Sequence, residues 1–137
     1  MLISIDEGNR QPIYLQIVRQ VKEQILIGEL KAGDELPSVR DLGVALGISL
    51  HTARSAYQVL SEEGLLRIRL GKKARISANT SAVRSSELID DLGLRLREWI
   101  VDELLQGGTP KDLHELVDQE IDSLTKRGAR MREKGGT

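Results

Sequence analysis

Residues 36–76 read LPSVRDLGVALGISLHTARSAYQVLSEEGLLRIRLGKKARI, and the punctuation of this stretch decides the fold. Pro37 stops what precedes it. Ser38 and Asp41, three residues apart, form the two ends of a capping box that opens a helix. Val39, Leu42, Ala45 and Leu46 give that helix its buried face, and Gly47 breaks it. Ile48 is the apolar plug of the turn. Ser49 caps the next helix, which runs to about Glu63 and stops at Gly64. On it Ala53, Ala56, Tyr57 and Leu60 share one face, with His51, Arg54, Ser55, Gln58 and Glu62 opposite. The two alanines let this helix pack closely on the one before it, the condition for a helix-turn-helix. From Leu65 the period shifts to two. Leu66, Ile68 and Leu70 alternate with Arg67 and Arg69; Gly71 sits at the bend; Ala74 and Ile76 alternate with Lys73 and Arg75. Such a hairpin seals a core with one face and presents cations with the other.

A helix-turn-helix followed by a basic wing is a shape that enters a DNA groove. The N-terminal end of a recognition helix contacts base edges in the major groove, and a wing brings cations to phosphates or the minor groove. The candidate DNA-contacting residues are Arg40, Ser49, Leu50, His51, Thr52, Arg54 and Ser55, with Arg69, Gly71, Lys72, Lys73 and Arg75 on the wing. Several carry a plainer reading beside that one. Arg40 reaches the flanking DNA backbone or bridges Asp34 or Asp41 on the surface. Arg54 is a base contact or a solvated helix charge. His51 meets a base, a phosphate or only water. Thr52 lies off the centre of the outward face and suits a phosphate. Gly71 is a turn glycine, or a point where the backbone approaches DNA closely.

Outward from this stretch the pattern stays helical. Leu2, Ile3 and Ile5 predict a short strand ending at Glu7-Gly8-Asn9. Pro12 then suits the first turn of a helix. Tyr14, Ile17, Val18, Val21 and Ile25 form its apolar stripe, Gly28 its C-cap, and residues 30–36 a loop. Beyond the wing, residues 78–86 are small and polar and read as a linker. Leu88, Leu92, Leu96, Trp99, Ile100 and Leu104 then make one stripe, while Leu94, Val101 and Leu105 fall on a second side. A helix apolar over most of its circumference needs cover on more than one side, which predicts a homodimer through those six stripe residues. Gly107-Gly108 end this helix, and Thr109-Pro110-Lys111-Asp112 start another. Leu113, Leu116, Val117, Ile121 and Leu124 line one face of it, folding back as the second helix of a hairpin. Residues 127–137 are basic and Gly-rich without apolar period, and read as a disordered tail.

The fold class is therefore mostly α with a small β-hairpin. Residues 1–77 form a winged helix-turn-helix domain, 78–86 a linker and 87–126 a two-helix dimerisation unit. The charge distribution agrees. Eleven Lys/Arg against nine Asp/Glu in residues 1–77 leave +2, and nine against twelve in 78–137 leave −3, within a net charge of −1. The absence of cysteine excludes a disulfide scaffold, thiolate metal sites and a cysteine nucleophile, and fits a reducing cytoplasm. No signal-peptide pattern opens the chain, and no apolar run reaches the roughly 20 residues of a membrane span. Catalysis finds no constellation, since His51 and His114 fall in different segments and no phosphate loop or nucleophile motif occurs. Neither a metal site nor a cofactor is expected. Asp90, Asp91, Asp102 and Glu103 read as a solvated helix face. A rival from another class is a protein- or RNA-interaction module that uses the same surfaces.

PIYLQI at 12–17, GELKAGDELPSVRDL at 28–42 and the hairpin after EEGLL, in that order, resemble the GntR family of DNA-binding regulators over about residues 2–77. The G-x-x-x-D-L-H-E-L start at Gly108 is similar to the YtrA-type subfamily, whose C-terminal part is a small helical dimerisation unit. The resemblance implies a dimeric transcriptional regulator, usually a repressor, on a palindromic double-stranded operator, often of genes for membrane transport. It implies roles residue by residue: Arg40 as the Arg of a P-S-x-R motif, Thr52 and Arg54 as phosphate and base contacts, Gly71 as a wing-tip glycine entering the minor groove. Leu50 and His51 replace the Pro-Asn or polar residues common at these sites. Lys73 and Arg75 stand where many relatives have Gly and an aromatic, which adds charge to the wing. Larger subfamilies hold effectors in domains of more than about a hundred residues; the 60 residues after 77 are too few, so a small-molecule effector stays an open question.

Overall fold

The computed structural model describes residues 2–69, 71–77 and 86–135, with side chains over 2–69, 71–77 and 90–127. The elements follow as α1 (Ile13–Ile27), β1 (Glu35–Leu36), α2 (Val39–Leu46), α3 (Leu50–Glu62), β2 (Leu66–Arg67), β3 (Ala74–Ile76), α4 (Ser86–Leu105) and α5 (Pro110–Gly135). Contacts divide the chain into two compact units, with a boundary between residues 80 and 81.

The first unit is built on α1, α2 and α3. Ile17, Val21, Ala53, Ala56, Tyr57 and Leu60 are wholly buried, joined by Val18, Leu30, Leu36, Leu42, Leu66, Ala74 and Ile76. The strands form an antiparallel sheet in the order β1-β3-β2, with Leu36 opposite Ala74 and Leu66 opposite Ile76. Those four side chains point inward and close the helical core. The residue pattern predicts a loop over 30–36. β1 within it corrects that: two residues are too few to show a period, and only pairing with β3 makes them a strand.

The N-terminal strand expected at Leu2–Ile5 is not one. Among the described residues the segment has no strand partner. Its backbone groups are met by glutamines one helical turn apart on α1. Gln20 bonds both the N–H and the carbonyl of Ser4 (2.9 and 2.7 Å), and Gln24 donates to the Leu2 carbonyl (2.7 Å). Gln16 accepts from the Asp6 N–H (2.9 Å) and donates to the Asp6 and Gln11 carbonyls (3.0 and 2.9 Å). Gln16 is buried, and its amide is thereby satisfied. Ile3 and Ile5 turn the other way and pack on the core.

α1 ends as expected at Gly28, which adopts φ 86°. α2 starts with the Ser38 hydroxyl accepting the Asp41 N–H at 3.2 Å. Its buried face needs a correction: Ala45 is exposed, and Gly43 lies inside. A Cβ on Gly43 would sit 3.3 Å from the Ile48 carbonyl oxygen and 3.9 Å from the Ala53 Cβ. Gly43 thus leaves room for the backbone of the turn at Ile48, while its distance to Ala53 on α3 is one of ordinary contact. Among the described residues of the first alternating run on the wing, Leu66 is sealed and Ile68 is not. Ile68 is 41 % exposed, because β2 ends at Arg67. Leu70 lies outside the described residues.

The second unit contains α4 and most of α5. Ser86, assigned by sequence to the linker, is already helical; residues 78–85 lie outside the described ones. Gly107 turns the chain at φ 95°. Thr109 and Asp112 form a reciprocal capping box. The Asp112 N–H donates to the Thr109 hydroxyl (3.2 Å), and the Thr109 N–H to the Asp112 carboxylate (3.0 Å). The Thr109 N–H, and after it the Thr109 hydroxyl, holds the Asp112 carboxyl below its ordinary pKa. α5 runs on to Gly135, through the stretch read as a disordered tail. Gly128 and Gly135 are the only glycines of α5, and Lys and Arg otherwise favour a helix already started. Residues 136–137 lie outside the described ones.

No helix among the described residues is long and apolar enough to cross a membrane.

Candidate nucleic-acid interface

The geometry of the site starts with Tyr57. Its ring is buried in the core, and its hydroxyl donates to the Pro37 carbonyl at 2.6 Å. Burial raises the phenol's pKa, so the hydroxyl stays a donor. That bond ties the middle of α3 to the residue before the Ser38 cap, and so sets α3 against the start of α2. Ser49 accepts the Thr52 N–H at 3.1 Å, and the two hydroxyls lie 2.8 Å apart. The cap fixes where α3 begins, hence which residues face outward.

Between the start of α2, one side of α3 and the wing runs an open groove of about 860 Å³. Six of the sequence-predicted contacts line it: Arg40, Leu50, Arg54, Arg69, Gly71 and Lys72. Residues 50, 54 and 58 repeat every four along α3 and make a stripe facing the wing. Gly71 holds φ 70° at the tip, a conformation that favours glycine. Arg40, Arg54, Arg69 and Lys72 make no ion pair among the described residues, so the surface bridge from Arg40 to Asp34 or Asp41 is not formed. Four cations around a groove without internal partners make it an anion-attracting surface.

The other predicted contacts divide. His51 and Ser55 do not line the groove; His51 is exposed on α3, and Ser55 half-buried. Ser49 and Thr52 are engaged with each other at the cap. Lys73 and Arg75 are not free wing cations. Glu35 on β1 binds Arg75 at 2.6 Å and Lys73 at 3.9 Å, and Arg75 also donates to the Gly33 carbonyl at 3.4 Å. The groove also has lining residues that the sequence reading did not single out as contacts: Ser38, Gln58, Ser61, Glu62 and Ile68. Gln58 and Glu62 were on the outward face by period, and their hydrogen bond at 3.3 Å follows from that spacing. Ile68 had no such signal, because its exposure depends on where the strand pairing ends.

No group of three or more His, Cys, Asp or Glu that could hold a metal occurs among the described residues.

A capped two-helix core, a packed recognition helix and a cationic wing define a winged helix-turn-helix protein. Comparisons with known proteins make the class specific. Residues 13–76 match the model for bacterial regulatory proteins of the gntR family. The HTH-type transcriptional repressor YtrA of Bacillus subtilis (strain 168) is 34% identical over 127 residues, covering 93% of this chain and 97% of that one. Among solved structures, a transcriptional antiterminator from Listeria monocytogenes EGD-e superposes with a TM-score of 0.82 at 27% identity, over 90% of this chain and 92% of that one. YtrA from Sulfolobus acidocaldarius, a GntR-family transcription factor, gives 0.56 at 32% identity, over 72% and 99%. The chain belongs to the GntR family and is of YtrA type: a DNA-binding transcriptional regulator, not an enzyme.

Proposed function

We propose that this regulator is a homodimeric repressor that reads a palindromic operator through the groove between α3 and the wing. The observation that carries the reading is the set of four cations in that groove, without an ion pair among the described residues, beside a hydrogen-bonding stripe on α3. Arg54 is assigned to base edges, Arg40 and Thr52 to flanking phosphates, and Gly71 with Arg69 and Lys72 to the minor groove. Ser49, Leu50, His51 and Ser55, at the first turns of α3, face the neighbouring bases or phosphates.

The dimer rests on the second unit. Leu92, Leu96 and Leu104 are 41%, 48% and 44% exposed, while Trp99 and Ile100 are half-buried. The Leu88 side chain lies outside the described ones. On α5 Leu113 and Leu124 are half-buried, but Leu116, Val117 and Ile121 are exposed. Within one copy α4 and α5 leave this apolar surface in water, and a second copy is the cover that symmetry supplies. Two recognition helices then address half-sites about 34 Å apart. Occupancy of such an operator blocks transcription. On the subfamily likeness alone, we place the operator before genes of a membrane transport system.

Selection of bound duplexes from a random pool tests the whole reading. The expected result is one enriched palindrome, with affinity falling roughly a thousandfold or more between 50 and 200 mM salt. A pool without enrichment, with salt-independent duplex binding, would instead favour the protein- or RNA-interaction module.

A further inference from the structure

The wing has a second face. Arg67, Lys73 and Arg75 line a separate hollow of about 290 Å³ beside Gly33, and Arg69 stands on the rim that it shares with the groove. Strand register explains the crowding. Arg67 on β2 lies directly opposite Arg75 on β3, and Arg75 directly opposite Glu35 on β1. Like charges facing each other across a strand pair destabilise it, and opposite charges support it. Glu35 therefore offsets the clash from one side only. Its carboxylate is shared between Arg75 and Lys73, while Arg67 and Arg69 have no ion pair among the described residues. Four cations against one acid leave a local excess of three positive charges on a concave surface.

We propose that this outer hollow of the wing is a phosphate-binding site, distinct from the operator groove. Two guanidinium forks, Arg67 and Arg75, with the Lys73 ammonium around one concavity match the several oxygens of a phosphate better than a single carboxylate. The volume lies near the lower end for small-ligand sites, about 300 Å³. Glu35 acts as the resident competitor: an arriving phosphate takes over Arg75 and Lys73 from it. The phosphate comes from one of two sources, the backbone of DNA passing the outside of the wing or a small phosphorylated molecule.

The test uses the full chain, with Arg67→Ala and Glu35→Gln beside wild type. Each is titrated calorimetrically with inorganic pyrophosphate, and separately with the selected duplex over a salt series. For a small-molecule site, pyrophosphate binds wild type without DNA. It then binds about tenfold more weakly to Arg67→Ala and more tightly to Glu35→Gln. For a DNA-backbone site, Arg67→Ala lowers the salt slope of duplex binding by about one, and Glu35→Gln raises duplex affinity. Arg67→Ala leaving both titrations at wild-type values overturns the proposal. Failure of the groove reading shows separately, as duplex binding that Arg54→Ala does not change.

Discussion

The two units of this chain treat their apolar residues in opposite ways. In the first, Ile17, Val21, Tyr57 and Leu60 are wholly buried by the chain's own helices and sheet. In the second, Leu105 is 80% exposed and Ile121 59%. The difference is one of layers. Three helices and a sheet around one point enclose a core, whereas two helices have only one shared side. The first unit completes its core from its own residues and needs no second copy to do so. In the proposed dimer, the second unit's exposed apolar surface is the part that a second copy covers.

Four experiments break or sharpen that contrast. Leu60→Ala should destabilise the first unit by about 2–5 kcal/mol in urea unfolding, since it empties a fully enclosed site, while leaving the oligomeric mass unchanged. Loss of the dimer along with the fold would show that the units are not independent. Trp99→Glu should do the reverse, giving a monomer in sedimentation with the first unit's unfolding midpoint unmoved. Operator affinity should then fall about a hundredfold or more, as the second half-site loses its effective concentration. An intact dimer would break the assignment of α4 as the interface. Arg54→Ala should cost about 1–3 kcal/mol of preference for the selected operator over random duplex, with neither stability nor mass altered. Equal preference would remove Arg54 from base recognition.

The smallest effect is a pH dependence at the start of α5. Asp112 has a depressed pKa in the folded chain because it accepts the Thr109 N–H and caps with the Thr109 hydroxyl. Its contribution is therefore present above its unfolded value of about 3.9 and is lost as pH falls through the lower folded value. Amide exchange at the first turn of α5 should quicken over that acid range in wild type. In Thr109→Ala the same amides should show less pH dependence; an unchanged profile would separate the cap from the titration.

The wing shows where sequence reasoning stopped short. Lys73 and Arg75 looked like added free charge, because Glu35 is about 40 residues away in a stretch that carried no strand signal. Pairing of β1 with β3 puts Glu35 beside both. The N-terminal segment failed for a related reason. Its alternation was real, since Ile3 and Ile5 do pack inward, but its hydrogen-bond partners are glutamine side chains and not another strand. The repeat Gln16, Gln20, Gln24 was visible as one helical row and could have raised the question.

The sequence by itself determined the local units. Ser38 and Ser49 set the helix starts, Gly28 and Gly47 the ends, and period 3.6 the buried face of α3, because each depends on neighbours within one or two turns. The order of motifs was enough to indicate the family. Only the tertiary structure decided which cations face the groove unpaired and which are held by Glu35. It also decided that α2 approaches α3 at Gly43, and that six predicted contacts converge while His51 and Ser55 do not. Those outcomes depend on strand register and helix approach, which bring together residues far apart in the chain and leave no local period to read.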